Sequence, residues 1–331
     1  VAVTAAAAPL RWGIAGPGDI ASAMARALRH VEGAELVAVG SRSMERAASF
    51  AERFGATRAH GSYEALLDDD EVDLVYVATP HSSHRELAVA ALEAGRHVLC
   101  EKAFAVNARE AREMAAAARA SGRFLMEAMW TWFLPPVVEL RRRLASGEIG
   151  RVRAVEANFS IAVPGPTGRH HELALAGGAL LDLGVYPVAL SRFLLGPPVE
   201  VRALGELGPT AVDVNLGVVA SHPDGAVSIF HTGLEARSSH WCEVVGTEGV
   251  VRIEPPFWGT SGFTIDRHDG APERVEVPHH GLAHEAIHAV ERIRGGHLES
   301  DVIPLDTSVA IMATLDEIRR QIGVTYPADT P

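Results

Sequence analysis

Cysteine is scarce in this chain: 331 residues carry two, Cys100 and Cys242. Two thiols cannot staple a disulfide scaffold, and their rarity suits a reducing compartment, so a cytoplasmic location is expected. Cys100 ends the apolar run "HVLC" and reads as a small buried hydrophobe rather than a nucleophile. Positive charge is also short, with 30 Lys and Arg against 42 Asp and Glu, a net charge of −12. A nucleic-acid binder would carry a basic stripe, and none is visible. The densest basic cluster, Arg141-Arg142-Arg143, lies in a helical run and reads as a solvated face. No apolar stretch of about 18 residues stands out, so no membrane span is expected. The opening "VAVTAAAAPL" lacks a charged start, and residues 1–9 read as a flexible tail rather than a signal peptide.

What the chain has is alternation. Its length suggests two domains. "RWGIA" (11–15), "AELVAVG" (34–40), "VDLVYVAT" (72–79), "HVLCE" (97–101) and "RFLMEAM" (123–129) are short apolar runs. They are the kind buried on both faces of a parallel sheet. Helical periodicity fills the gaps at 18–30, 43–55, 84–95 and 107–121, with Asn107 as N-cap and Glu110 three residues later. The fold class is therefore α/β, a doubly wound Rossmann sheet over 10–130. Residues 131–331 read as an α+β domain with a largely antiparallel open sheet. Its strands are expected near 151–160, 199–207, 211–221, 226–233, 240–246 and 249–255, and its helices near 179–195, 282–294 and 307–321. The last helices are free to pack back on the first domain. An open sheet needs cover on one face, so a homo-oligomer, a dimer or tetramer, is expected.

Between the first strand and the first helix stands "GPGDIA", a G-x-G-x-x-A pattern from Gly16 to Ala21. Gly16 allows the tight turn. Gly18 lets backbone approach a pyrophosphate at the helix N-terminus, beside Asp19 and Ile20. An acidic residue after the second strand would hold the ribose 2′-hydroxyl of NAD. Here the strand ends in Ser41-Arg42, with Arg46 a turn further on. Two guanidiniums and a hydroxyl suit a 2′-phosphate, which favours NADP over NAD as cofactor. The competing reading has Arg42 stacked on adenine, with Arg46 a surface charge or a partner of Glu45.

The series "GxGxxA", "SR", "ATPHSSH" (78–84), "CEKA" (100–103) and "GGALLDLGVYP" (177–187) resembles the glucose–fructose oxidoreductase/inositol dehydrogenase/MocA (Gfo/Idh/MocA) family over nearly the whole chain. The likeness is greatest to the branch of dihydrodiol dehydrogenases and NADP-dependent D-xylose 1-dehydrogenases, which carries Tyr at the position of Tyr186. The resemblance implies that Lys102 lies beside the nicotinamide and the reacting oxygen, with Glu101 nearby. It implies that Thr79, Pro80 and His84 line the nucleotide, and that Asp182 and Tyr186 are the acidic and acid/base positions. Catalytic roles thus fall to Lys102, Tyr186 and Asp182. The implied substrate is a carbohydrate, polyol or cyclic diol. Alternatives of the same fold are an NAD-dependent, redox-assisted glycoside-cleaving enzyme and a non-catalytic cofactor-sensing regulator.

The chemistry asks for these residue types on its own terms. Alcohol oxidation needs a hydride acceptor and a group to take the hydroxyl proton. A tyrosine of ordinary pKa near 10 is a weak base at neutral pH. A neighbouring Lys102 ammonium is expected to lower that pKa. Asp182, four residues before Tyr186, would share its helix face and orient the lysine or a substrate hydroxyl. Ala103 stands where the family has proline, which is expected to loosen the loop. Trp130 is expected at the cofactor or pocket, whereas Trp132 reads equally as pocket floor or domain packing. His170, His171, His280 and His284 are candidate pocket residues. The spacing of His280, His284 and His288 lacks the HExxH pattern, and no metal is expected.

Overall fold

The computed structural model describes residues 8–165 and 167–330; most of the expected N-terminal tail lies outside them. The first half builds β1 (Leu10–Ala15), α1 (Asp19–Ala27), β2 (Ala34–Gly40), α2 (Met44–Phe54), β3 (Arg58–His60) and α3 (Tyr63–Leu67). It continues with β4 (Leu74–Val77), α4 (His84–Glu93), β5 (His97–Glu101), α5 (Ala108–Ser121) and β6 (Leu125–Ala128). The strands form one parallel sheet in the order β3-β2-β1-β4-β5-β6. That is the dinucleotide-binding order, whose switch point lies between β1 and β4. β4 is buried along its whole length, as a strand covered by helices on both faces must be.

Local chemistry sets the helix ends. The Ser43 hydroxyl accepts from the Arg46 N–H (3.3 Å) and starts α2, and Gly55 in the left-handed region ends it. Asn107 Oδ1 accepts from the Glu110 N–H at 2.9 Å. The Glu110 carboxylate reaches back to the N–H of Val106, one residue earlier than a capping box requires.

After α6 (Pro135–Ala145), the chain forms β7 (Val152–Ser160), a π-helical turn at Leu180–Gly184 and α7 (Val185–Leu195). Then come β8 (Glu200–Leu207), β9 (Asp213–Ser221), β10 (Val227–Gly233), β11 (Cys242–Gly246), β12 (Gly249–Ile253), β13 (Gly262–Arg267) and β14 (Glu273–Glu276). The second sheet runs β14-β13-β12-β11-β7-β10-β9-β8. It is antiparallel except for the β7–β10 pair. α7 packs on it at β7, and α9 (Leu305–Ile322) bridges from β8 back to α5 and β6 of the first domain, while α8 (Ala283–Arg294) packs against α1. The opposite face of this sheet carries Leu204, Val219 and Ile229, 84%, 47% and 43% exposed.

One long apolar run needs placing. The run Leu173–Leu195 is long and apolar enough by length and composition to cross a membrane. Most of its most apolar window, 83%, is buried inside the protein. The run is apolar because it sits between the second sheet and the first domain.

Candidate active site

A cleft of about 770 Å³ opens at the carboxyl ends of β1, β2, β4 and β5 and is closed on its far side by β7 and α7. At one end lie Gly16, Gly18, Asp19 and Ile20, with Thr79 against Gly16 and Pro80 next in the chain, then Ser41, Arg42 and Arg46; at the other lie Glu101, Lys102, Asp182 and Tyr186. Gly16 takes a φ of +96°, and a Cβ there would meet the Ala78 carbonyl oxygen at 2.9 Å. Only glycine fits that turn. A Cβ on Gly18 would meet no protein atom within 4 Å, because it would project into open space. Such a bare helix N-terminus fits a pyrophosphate. The buried Thr79 hydroxyl lacks a protein partner, as a group reserved for a ligand would. The residues present therefore fit a dinucleotide. Arg46 reaches the Pro17 carbonyl (3.4 Å), so it spans from α2 to the glycine loop.

The reactive end is built from both halves of the chain. Lys102 follows β5, and its Nζ donates to the Asp182 main-chain carbonyl (2.7 Å) and to Asp182 Oδ1 (3.1 Å). The carbonyl is accessible because residues 180–184 form a π turn, not the uniform α-helix expected from 179. The other carboxylate oxygen of Asp182 takes Arg169 (3.2 Å) and His170 Nε2 (3.0 Å). With both oxygens occupied, Asp182 orients the lysine. Lys102 Nζ lies 5.0 Å from the centre of the Tyr186 ring, and the Tyr186 hydroxyl accepts from Trp130 Nε1 (3.1 Å).

Electrostatics correct one expectation. Burial raises the Tyr186 phenol to about 12, and the opposing Lys102 charge does not overcome it. Tyr186 therefore rests as a neutral phenol, not a phenolate. Burial alone would lower the Lys102 pKa, but Asp182, Tyr186 and Glu101 together raise it, so the ammonium is retained. Against its burial, the Lys102 charge, the hydrogen bond from His170 and the Arg169 charge hold Asp182 well below the usual carboxylate range. Burial lifts Glu101 to about 6, and Tyr76 donates to it in the wall behind Lys102.

Other candidates separate. His84 does not line the cleft: it is fully buried, with its ring nitrogens each 2.9 Å from the carbonyl oxygens of Thr79 and Ala103. It ties the two loops together, and buried Ala103 is held rather than loosened. His81 lines the cleft instead, its pKa driven down to about 3 chiefly by burial. Trp130 borders an adjoining groove together with His280. Trp132 is packing, its ring 4.6 Å from that of Phe193. His171 is buried, while His284 Nε2 accepts from the His280 N–H (3.3 Å). Among the described residues no cluster of three or more His, Cys, Asp or Glu could hold a metal.

Tyr63 and Phe159 line the cleft and escaped the sequence reading. Tyr63 sits at the cofactor end, on the five-residue α3. Its only local signal is the Ser62 cap, whose hydroxyl accepts from Ala65 N–H. Phe159 stacks on Trp258 (ring centres 3.4 Å), with Trp258 6.1 Å from Tyr186 and 4.8 Å from His240. These aromatics come from β7 and two loops, so no sequence spacing links them.

Residues 10–129 match the oxidoreductase family with an NAD-binding Rossmann fold, and residues 137–252 match the GFO/IDH/MocA C-terminal domain. The chain belongs to the Gfo/Idh/MocA oxidoreductase family. This oxidoreductase is 37% identical over 334 residues to trans-1,2-dihydrobenzene-1,2-diol dehydrogenase of Homo sapiens, covering 97% of this chain and 99% of that one. The Bos taurus enzyme of the same name is 36% identical over 335 residues, with the same coverage. Among solved structures, it is similar to KijD10, a 3-ketoreductase from Actinomadura kijaniata in complex with NADP and TDP-benzene. The TM-score is 0.87 at 30% identity, over 95% of this chain and 98% of that one. Aldose–aldose oxidoreductase from Caulobacter crescentus, complexed with glycerol, matches with a TM-score of 0.86 at 26% identity, over 95% and 97% of the two chains.

Proposed function

We propose that this oxidoreductase uses NADP to transfer a hydride between the nicotinamide and a carbinol or carbonyl carbon of a sugar, polyol or cyclic diol. Lys102 and Tyr186 handle the proton. The observation that carries the reading is the Lys102–Asp182–Tyr186 group at one end of a cleft whose other end holds Gly16, Gly18 and the Ser41-Arg42-Arg46 set. The relatives act on a dihydrodiol or are named a ketoreductase and an aldose oxidoreductase, which supports this substrate class.

When bound, the nicotinamide supplies or accepts the hydride. The Lys102 ammonium polarises the substrate oxygen, and Asp182 fixes its direction. The neutral Tyr186 hydroxyl is a proton donor, so carbonyl reduction finds it in the required state at neutral pH. Phe159, with Trp258 stacked on it, offers an apolar wall for a ring. Ser41, Arg42 and Arg46 give NADP its preference through the 2′-phosphate. Nicotinamide absorbance followed with a panel of aldoses, inositols, keto-sugars and dihydrodiols tests the class. NADPH-dependent turnover of at least one is expected, and cofactor binding without turnover of any would contradict it.

We infer also that the exposed face of the second sheet meets a second copy of the chain. Leu204, Val219 and Ile229 line a shallow apolar trough there that shares no residue with the cleft. A contiguous apolar face of this kind is rarely left open to water.

A further inference from the structure

A groove of about 360 Å³ runs beside the cleft, between α1 and the turn that leads into α8. Its floor is the stripe Ile20, Ala23 and Ala27, completed by Leu282. The spacing of three and four puts those α1 residues on one helix face. From Ile20 to His30 the stripe runs about 15 Å at the helical rise. Two observations join groove to cleft. Ile20 and Ala23 line both. Trp130 forms the groove wall while its indole N–H donates to the Tyr186 hydroxyl.

The far end of the groove is polar. His30 and His280 stack there with ring centres 4.3 Å apart and planes 9° from parallel, next to exposed Arg26. The turn bearing His280 is held by two bonds: its N–H donates to His284 Nε2 (3.3 Å), and the Gly281 N–H donates to His279 Nδ1 (3.0 Å). A guanidinium and two imidazoles gathered at one end of an apolar trough, on a chain of net charge −12, form a local anion receptor.

We propose that this groove is a second subsite of the active site, which takes an apolar spacer and the anionic end, phosphate or carboxylate, of an extended substrate. The proposal rests on the oxidoreductase reading above. A substrate with its carbonyl at Lys102 and Tyr186 would pass Trp130, lie along the α1 stripe and end at Arg26, His30 and His280. A purely local role also exists for Arg26, which stands in the last turn of α1, where positive charge complements the helix dipole. That role predicts an effect on stability and none on substrate choice.

The test uses the full chain with NADPH and three aryl ketones of one reacting group. Each bears a ten-carbon chain, long enough to follow the stripe, ending in methyl, in carboxylate or in phosphate. For the unaltered protein at low salt, kcat/KM is expected to be about tenfold or more higher for an anionic end than for methyl, chiefly through KM, the scale of a charge-assisted hydrogen bond. The preferred anion identifies the source. The Arg26→Gln, His30→Asn double variant should lose that preference and keep the rate on the methyl-ended ketone. Raising the ionic strength should erode the preference of the unaltered protein, a readout that holds even if the variant fails to fold. Turnover of all three ketones at equal kcat/KM, or a preference that survives in the folded variant, would overturn the subsite alone. No turnover of the ketones while a member of the sugar and diol panel is turned over would also overturn the subsite alone, and no turnover of ketones or panel would overturn the reading beneath it.

Discussion

The Lys102 ammonium donates to both the main-chain carbonyl and the carboxylate of Asp182, at 2.7 and 3.1 Å, and so ties the end of β5 to the π turn before α7. The contact links the two domains at the point where the dinucleotide cleft meets the second sheet. Asp182 keeps the buried lysine charged, and the lysine keeps Asp182 ionised.

Asp182→Asn removes the charge that opposes the desolvation of Lys102. The Lys102 pKa should then fall, and the ammonium should be lost at lower pH than in the unaltered enzyme. We expect kcat to drop by about 10²-fold, the scale of one lost transition-state donor. The alkaline limb of the rate profile should move to lower pH. A pH–rate profile with an unmoved alkaline limb would show that Asp182 does not govern the lysine.

Arg42→Ala is expected to weaken NADPH binding by about 1–3 kcal/mol, the range of a hydrogen bond to a charged group. NADH binding should barely change. Energy transfer from tryptophan to bound nicotinamide gives both affinities. Equal losses for the two cofactors would refute a 2′-phosphate contact.

The exposed sheet face makes a prediction about assembly. Leu204→Asp combined with Ile229→Asp puts two charges into the apolar trough without touching the cleft. Sedimentation should report a dimer or tetramer for the parent chain and a monomer for the variant. A parent chain that sediments as a monomer would remove the inference.

Buried carboxyls set the pH dependence of stability. Burial raises Glu127 to about 7 and Asp213 to about 7. A carboxyl whose folded pKa exceeds its unfolded value binds its proton more tightly in the folded state. Its contribution is complete below the unfolded pKa near 4.5 and is lost as pH rises through about 7. The carboxyls' share of stability should therefore decline between pH 5 and pH 8, opposed by buried neutral histidines such as His81, whose lowered pKa favours the folded state as pH rises. Glu127→Gln should reduce that decline by an amount on the order of 2 kcal/mol. Urea midpoints at the two pH values measure it, and an identical decline in both proteins would contradict the assignment.

Much of this architecture can be read from the chain because its signals are local. Ala34–Gly40 is a continuous apolar run and becomes β2 with those bounds. Gly16 and Gly18 stand between strand and helix, where a backbone seat for an anion requires them. Shorter or polar elements leave weaker traces. β3 has three residues and α3 five, less than two periods of any pattern. β13 and β14 close one edge of the second sheet, and β14 reads as "ERVE", with little apolar content. The state of Tyr186 was out of reach for another reason. Its neighbour Lys102 can be inferred from motifs, but the burial that outweighs that neighbour is a property of the assembled fold. The role of His84 is similar: a histidine beside a nucleotide loop and one buried beneath it share a single spelling.

The most direct test of the Lys102–Tyr186 pairing is a double-mutant cycle read in single turnover. Lys102→Ala, Tyr186→Phe and the double variant would each be loaded with NADPH and mixed with a reducible ketone, with nicotinamide absorbance as the clock. If the two groups act on one substrate oxygen, each single variant should lose about 10²–10⁴-fold in rate at unchanged NADPH affinity. The double variant should then be scarcely slower than the worse single one. Rates retained in either single variant, or losses that multiply in the double variant, would contradict a shared site of proton transfer.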